Sequence, residues 1–162
     1  MIIGEFDGFP YVYLLSEKLY ITEKPSVVAT VLGSCVSVTM FARKAGLAAI
    51  CHALLPNCPK AGMCPANCVQ QYKYVDCVIP KMIEKFKKRN IRPRDLEVNL
   101  FGGADMPGPG TVEKIGNLNI QTALGTLRSE KLRLKASDVG GNHGRKIYFY
   151  THTGDIVLKR LE

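Results

Sequence analysis

One change in hydrophobic spacing, close to residue 69, restricts the folds open to this chain more than any other feature. Before it, branched and aromatic residues form short apolar runs that are typical of β-strands. These runs are residues 11–22, 26–33, 36–42 and 47–55. After it, apolar residues recur at three- and four-residue steps over 69–86, which predicts an amphipathic helix. Strands and such a helix each bury one apolar side, so we expect layers that pack on one another.

The second half of the chain predicts further strands and a second helix. Strands are predicted at 96–103 and 132–137, and the helix over about 113–129. A final hairpin pairs "RKIYFYT" with "DIVLKRL" around the short turn "HTGD". Pro80 predicts a kink or a break in the first helix. We therefore expect one domain, residues 1–162, with an α/β (α+β) layered sandwich of mixed, largely antiparallel strands covered by two main helices.

Composition places the chain among globular proteins with a positive net charge. Hydrophobic residues make up 46% and charged residues 22%, which excludes a disordered chain. The net charge of +8 favours an acidic partner or an anionic surface. The N-terminal stretch "MIIGEFDGFPYVYLL" lacks the features of a signal peptide, and no window approaches about 18 apolar residues. We expect a cytoplasmic protein without membrane insertion, whose six cysteines stay reduced.

The stretch "VLGSCVSV" interrupts an apolar strand with a small turn that carries a thiol. Gly33, Ser34 and Cys35 stand between branched residues, and His52 follows in the next strand. A histidine within reach of a cysteine lowers the pKa of the thiol and yields a thiolate nucleophile. Backbone N–H groups of the turn are suited to act as oxyanion donors. From the residues alone, a buried structural cysteine and a satisfied core histidine remain open alternatives.

Two further histidines are weaker candidates for a catalytic base. His143 lies in a glycine-rich stretch and His152 in the hairpin turn, where solvated or turn-forming roles are expected. Either would serve as the base if His52 pointed away from Cys35.

Five other cysteines lie in or beside a proline-rich loop between Pro56 and Asn67. They are Cys51, Cys58, Cys64, Cys68 and Cys77. Thiolates gathered on a loop hold structural zinc or iron–sulfur clusters. The spacing C-x5-C-x3-C lacks the CxxC pairs of common sites, which favours reduced thiols without excluding a metal.

Two other features of the sequence predict no chemistry. The segment "FGGADMPGPG" has glycines but neither G-x-G-x-x-G before a helix nor GK[ST], so we reject a phosphate loop. The basic run from Lys85 to Arg94 lacks interleaved aromatic residues, so we expect a solvated face and no nucleic acid.

Several ordered motifs together resemble one known family. "TVLGSCVSVTMF" and "GLAAICHALLP" carry the LGSC and H-x-x-LP signatures of the chemoreceptor glutamine deamidase family (CheD). "FGGADM", "IGNLNI" and "DVGGNHGRKIYFYTHTGDIVLKRL" match later segments of that family in the same order. The resemblance covers roughly residues 26–161.

The resemblance implies an amidohydrolase that converts chosen glutamines of methyl-accepting chemotaxis receptors to glutamate. It assigns Cys35 as the nucleophile, His52 as its base, and Thr30, in "ATVLGSC", as the residue that orients His52. It implies a cysteine thioester intermediate, a second activity on methyl esters of receptor glutamates, and no cofactor. The implied partners are the receptors and a chemotaxis phosphatase of the CheC type.

Three other functions remain open from the sequence. A binding module with the same fold would dock on chemoreceptors or on the phosphatase without catalysis. A metal-dependent hydrolase would use the loop cysteines together with His52. A nucleic-acid binder would show a steep salt dependence of its DNA affinity.

Overall fold

In a computed structural model of the chain, residues 2–60, 63–105, 108–109 and 114–162 are described. The strands are β1 (Ile2–Phe6), β2 (Phe9–Tyr13), β3 (Lys18–Thr22), β4 (Val27–Leu32), β5 (Val36–Ala42), β6 (Leu47–His52), β7 (Glu97–Gly102), β8 (Leu134–Val139), β9 (Arg145–Tyr150) and β10 (Ile156–Arg160). The α-helices are α1 (Val75–Lys87) and α2 (Ile115–Ser129), and a short 3-10 turn spans Pro93–Asp95. Neither α-helix in the described ranges is long and apolar enough to cross a membrane.

The strands of the described residues form two five-stranded sheets. The outer sheet has the order β1-β2-β4-β9-β10, and the middle sheet has the order β3-β6-β5-β7-β8. β2 pairs with β4 and β7 with β8 in parallel, whereas the other neighbours run antiparallel. The predicted α+β sandwich of mixed, largely antiparallel strands is confirmed, as is the final hairpin, formed by β9 and β10.

The middle sheet is buried on both faces because it lies between the helices and the outer sheet. Successive side chains of a strand point to opposite faces. In β5, Val36, Val38 and Met40 pack with the buried faces of α1 and α2. Phe41, from the same strand, packs with outer-sheet residues such as Ile147. All seven residues of β5 are consequently buried, and the apolar area removed from water stabilises both interfaces.

The predicted strand 11–22 is wrong as a single element. The chain follows β2 to Tyr13 in the outer sheet, turns, and enters the middle sheet as β3 at Lys18. Glu17, in the turn, has a φ of 64°, a left-handed conformation that non-glycine residues rarely adopt. β1, which extends the outer sheet, had no counterpart among the predicted strands.

The first helix is shorter than predicted, and it is not interrupted. α1 begins at Val75, and the side chain of Val69, before it, is 98% exposed. The helix continues through Pro80, so a break there is wrong, whereas the alternative of a kink stays a prediction. Burial of its apolar face against the middle sheet offsets the hydrogen bond that proline cannot donate. The second helix begins at Ile115, and its predicted start at residue 113 lies outside the described residues.

Candidate active site

Strands β5 and β6 place Cys35 and His52 on the same face of the middle sheet. Val36 and Ala53 exchange backbone hydrogen bonds of 3.1 and 2.9 Å, and the ladder between the two strands keeps this register. Ser37 therefore lies opposite His52, and Cys35 is the diagonal neighbour of His52. Residues in this relation have Cα atoms about 7–8 Å apart, a separation that an imidazole and a thiol can span. The face that they share is the one that packs on the outer sheet.

Thr30 reaches His52 from β4 of the outer sheet. The Oγ1 of Thr30 lies 2.7 Å from Nδ1 of His52 and 2.7 Å from the carbonyl oxygen of Leu14. A threonine hydroxyl has one hydrogen and a carbonyl can only accept, so the hydroxyl donates to Leu14. Nδ1–H of His52 then donates to Thr30, which leaves Nε2 of His52 unprotonated and able to accept a proton.

Burial keeps both candidate reacting groups neutral before a substrate binds. Desolvation lowers the pKa of His52 to about 4, although the Leu14 carbonyl opposes this shift. Desolvation also raises the pKa of Cys35 above its ordinary value of 9.0; its own backbone N–H opposes the shift and the charge of Glu17 adds to it. These directions do not support the expectation that His52 holds Cys35 as a resting thiolate. They favour transfer of the thiol proton to His52 during the attack.

The backbone of the nucleophile loop (residues 33–35) is held through its carbonyl groups. Gly103 donates a hydrogen bond of 2.8 Å to the carbonyl of Cys35, and Ala104 donates one of 2.9 Å to that of Gly33. The N–H groups of Ser34 and Cys35 bond to no backbone carbonyl within the described part of the chain. These two groups are therefore available to the oxygen of a tetrahedral intermediate, the role that the sequence predicts for this turn.

Glycines of the FGGA and IG segments allow the backbone to pass closely beneath the nucleophile loop. Gly102 has a φ of 102°, and a Cβ there would lie 2.3 Å from the carbonyl oxygen of Cys35. A Cβ on Gly116 would lie 2.5 Å from the carbonyl oxygens of both Gly103 and Ala104. Larger residues at either position would push the loop that carries the thiol out of place.

Asn119 is a supporting residue that the sequence analysis did not identify. It lies on α2, is fully buried, and donates hydrogen bonds of 2.9 Å to the carbonyl of Ser34 and 3.1 Å to that of Leu54. One amide therefore ties the nucleophile loop to the end of the segment that carries His52. The available signal was a polar residue, in "IGNLNI", among the apolar positions of the predicted helix.

The segment "DVGGNHGR" closes on itself beside the FGGA turn. Arg145 is buried, forms an ion pair of 2.7 Å with Asp138, and donates a hydrogen bond of 2.8 Å to the carbonyl of Gly140. Arg145 holds the pKa of the Asp138 carboxyl below its ordinary value, chiefly through the hydrogen bond that its Nε donates to this carboxylate. The N–H of Gly140 in turn donates to Gly102 at 2.9 Å. The segment thus supports the strand that lies under the nucleophile loop.

The two other histidines take the surface positions that the sequence predicts. His143 is exposed in the loop after β8. His152 is exposed and stacks on Phe9, with ring centroids 4.3 Å apart. Phe9 packs against the cluster that contains Ala29 on the outer face of the outer sheet, whereas Thr30, the next residue of β4, points inwards to His52. His152 therefore lies on the wrong side of that sheet to act on Cys35.

The remaining cysteines fall into two environments. Cys51 is buried between the middle sheet and the helices, and burial raises the pKa of its thiol to about 12. Cys58 and Cys64 lie outside the core with their Sγ atoms 3.7 Å apart. No three histidine, cysteine or acidic side chains of the described residues already meet around a point as a bound metal requires. A hydrolase that uses a metal held by loop cysteines and His52 therefore has no support.

Comparison with known proteins agrees with the resemblance of the motifs. A family model for CheD chemotactic sensory transduction matches residues 54–160. A Geobacter sulfurreducens relative named "Probable chemoreceptor glutamine deamidase CheD 2" is 48% identical over 157 residues, covering 94% of this chain and 91% of the relative. CheD relatives from Maridesulfovibrio salexigens and Thermococcus kodakarensis are 38% and 33% identical, covering 93% and 87% of this chain and 92% and 87% of their own. The protein belongs to the CheD family.

Proposed function

We propose that this chain is a protein-glutamine deamidase that acts on chemoreceptors, with Cys35 as nucleophile, His52 as base and Thr30 as the residue that orients His52. The observation that carries the proposal is the hydrogen bond between Thr30 and Nδ1 of His52. It fixes the tautomer that leaves Nε2 free on the face that His52 shares with Cys35. The names of the relatives supply the substrate class.

The first half of the reaction forms a thioester and releases ammonia. Cys35 attacks the side-chain carbonyl carbon of glutamine while its thiol proton passes to Nε2 of His52. The N–H groups of Ser34 and Cys35 stabilise the negative oxygen of the tetrahedral intermediate, each by about 3 kcal/mol. His52 then gives its proton to the departing nitrogen, and the carbon–nitrogen bond breaks.

The second half of the reaction restores the enzyme. His52 removes a proton from water, whose oxygen attacks the thioester carbonyl carbon. The carbon–sulfur bond breaks, the proton returns to the sulfur of Cys35, and the receptor keeps a glutamate. A glutamate methyl ester presents the same carbonyl with methanol as leaving group, so the same steps extend to receptor methylesterase activity.

The positive charge of the chain suits a long acidic helix as the substrate. Its net charge of +8 would favour a receptor helix rich in glutamate. We extend the proposal to a phosphatase of the CheC type as a second protein partner and to the cytoplasm as the place of action.

Mass spectrometry of a purified receptor fragment tests the proposal. The fragment is incubated with the wild-type protein and with Cys35→Ala, and binding of both proteins to the fragment is measured separately. We expect a gain of about one dalton at specific glutamines with the wild type alone, because –OH replaces –NH2. Binding without this gain for either protein would overturn the proposal in favour of a docking module.

A further inference from the structure

Four of the six cysteines gather at one place on the surface, next to the first turn of α1. Cys58 and Cys64 have Sγ atoms 3.7 Å apart. Cys64 has both Cys58 and Cys68 as hydrogen-bonding neighbours. Cys77, in the first turn of α1, has Cys58 as a hydrogen-bonding neighbour. Contacts therefore link the four thiols in the order Cys68, Cys64, Cys58, Cys77.

We propose that Cys58, Cys64, Cys68 and Cys77 form a four-thiolate site for one zinc ion. Tetrahedral zinc with Zn–S bonds of about 2.3 Å holds its sulfur ligands roughly 3.8 Å apart. The separation of 3.7 Å between the Sγ atoms of Cys58 and Cys64 agrees with two ligands of one ion. In a [4Fe–4S] cluster each thiolate binds a different iron atom, so its sulfur ligands stand farther apart than this pair.

Binding of the ion requires the remaining side chains to turn inwards. No three thiols of the described residues already surround one point, and Cys58 and Cys64 form the pair at ligand separation. Metal sites often complete their geometry only when the ion binds. Each thiol gives up a proton on binding, and the cation removes the mutual repulsion that opposes ionisation of neighbouring thiols.

The backbone around the cluster already supports sulfur ligands. The N–H of Lys60 points at Sγ of Cys58 at 3.4 Å, a hydrogen bond that stabilises a metal-bound thiolate. The N–H of Cys58 donates to a carboxylate oxygen of Asp76 at 2.9 Å. Because Asp76 precedes Cys77 on α1, this bond holds the two ends of the proposed ligand set together.

The proposed ion would be structural, and it would stiffen a wall of the active site. Leu54, shortly before the cluster, shares the amide of Asn119 with Ser34 of the nucleophile loop. Asn57, beside Cys58, accepts a hydrogen bond of 3.4 Å from Thr122 on the same helix as Asn119. Zinc would therefore fasten the loop that follows His52 to α1 without touching the reacting groups.

Zinc content of the purified protein tests this inference independently of deamidation. The wild type, Cys64→Ser, Cys68→Ser and the control Cys51→Ala are purified under reducing conditions with zinc supplied during expression. Each is measured by elemental analysis and native mass spectrometry. We expect one zinc per chain in the wild type and the control, and at least a tenfold loss of bound zinc in both serine variants. Cys64 is exposed, so its serine variant is expected to keep the wild-type circular dichroism spectrum.

Three results would overturn the zinc site. One is a wild-type protein without zinc that takes up none after reduction and addition of the ion. Another is equal zinc in the wild type and both serine variants. The third is a visible absorption spectrum with iron and sulfide in the purified protein, which would assign the thiols to a cluster instead.

Discussion

The two loops that carry thiols differ in how firmly their backbones are held. In the nucleophile loop, the carbonyls of all three residues accept hydrogen bonds from Gly103, Ala104 or Asn119. In the cysteine loop (residues 56–60 and 63–74), bonds such as that from Cys68 N–H to the Pro65 carbonyl close local turns, and the N–H of Cys58 reaches Asp76 outside the loop. Met63 and Val69 of this loop are 84% and 98% exposed.

This difference separates two uses of the same side chain. A nucleophile needs one thiol at a fixed position against a base and oxyanion donors, because small displacements lower the rate of attack. A structural metal needs several thiols that can adjust to its own geometry, and binding supplies the order. The buried frame around Cys35 fits the first use, and the exposed group around Cys64 fits the second.

The largest expected effect of a single change comes from Cys35→Ala. Without the sulfur no thioester forms, so we expect deamidation of a receptor fragment to fall by roughly 10⁴-fold or more. The rate is measured by mass spectrometry over time, with Cys51→Ala as a matched control that removes a thiol from the core. The zinc content of Cys35→Ala should equal that of the wild type. If this variant lost zinc together with activity, the two loops would not serve separate functions.

Replacement of the base comes next in size. His52→Gln keeps a polar side chain beside Thr30 but cannot accept the thiol proton, so we expect kcat/KM to fall by about 10²–10⁴-fold. His152→Gln, on the outer face of the outer sheet, is the matched control and should resemble the wild type. Equal losses in both variants would show that His52 has no special role.

The pKa of His52 predicts a loss of stability in acid. Its pKa is about 4 in the folded protein and near 6.5 in the unfolded chain, so below pH 6.5 the unfolded chain binds a proton that the folded protein does not. Stability therefore falls as the pH drops from 6.5 towards 4, by on the order of 3 kcal/mol. Urea unfolding at both pH values should show a smaller fall for His52→Gln than for the wild type or His143→Gln.

Removal of the orienting hydroxyl should cost less than removal of the base. Thr30→Val leaves Nδ1 of His52 and the carbonyl of Leu14 unpaired, at about 1–3 kcal/mol for a buried polar group. We expect kcat/KM to fall by about 10–100-fold, whereas Thr30→Ser, which keeps the hydroxyl, should retain most of the activity. A valine variant as active as the serine variant would argue against an orienting role.

The smallest expected signal concerns the resting state of Cys35. Because burial raises the pKa of this thiol above its ordinary value, we expect the neutral thiol to dominate at pH 7. The absorbance of the wild type near 240 nm should then match that of Cys35→Ala at pH 7 and exceed it at higher pH. A thiolate signal at pH 7 would indicate an ion pair with His52 instead.

Much of the fold could be predicted because spacing of apolar residues reflects burial on one or two faces. The start of the first helix could not be predicted, because Val69 continues the helical spacing although it lies in an exposed loop before Val75. The division of 11–22 into two strands was also hidden. Apolar residues run through the turn, and Glu17 adopts a left-handed conformation that its residue type does not predict.

For the site, the proximity of Cys35 and His52 could be predicted because neighbouring strands carry them, and the register of these strands agrees. The contact of Thr30 with His52 was implied by the family motifs alone, since it depends on how two sheets stack. Asn119 was missed because its partner Ser34 lies 85 residues away in the chain. Such a contact forms only when α2 packs on the middle sheet, so the spacing of nearby residues in the sequence cannot predict it.

Trapping of the acyl intermediate would show whether the reaction passes through a thioester on Cys35. A receptor fragment is incubated with the wild type or Cys35→Ala in increasing concentrations of hydroxylamine, which cleaves thioesters. We expect the wild-type protein to convert the target glutamines partly to glutamyl hydroxamate, in a share that rises with hydroxylamine, and Cys35→Ala to form neither glutamate nor hydroxamate. Glutamate as the only product at every concentration, or modification by Cys35→Ala, would contradict a reaction through a thioester on Cys35.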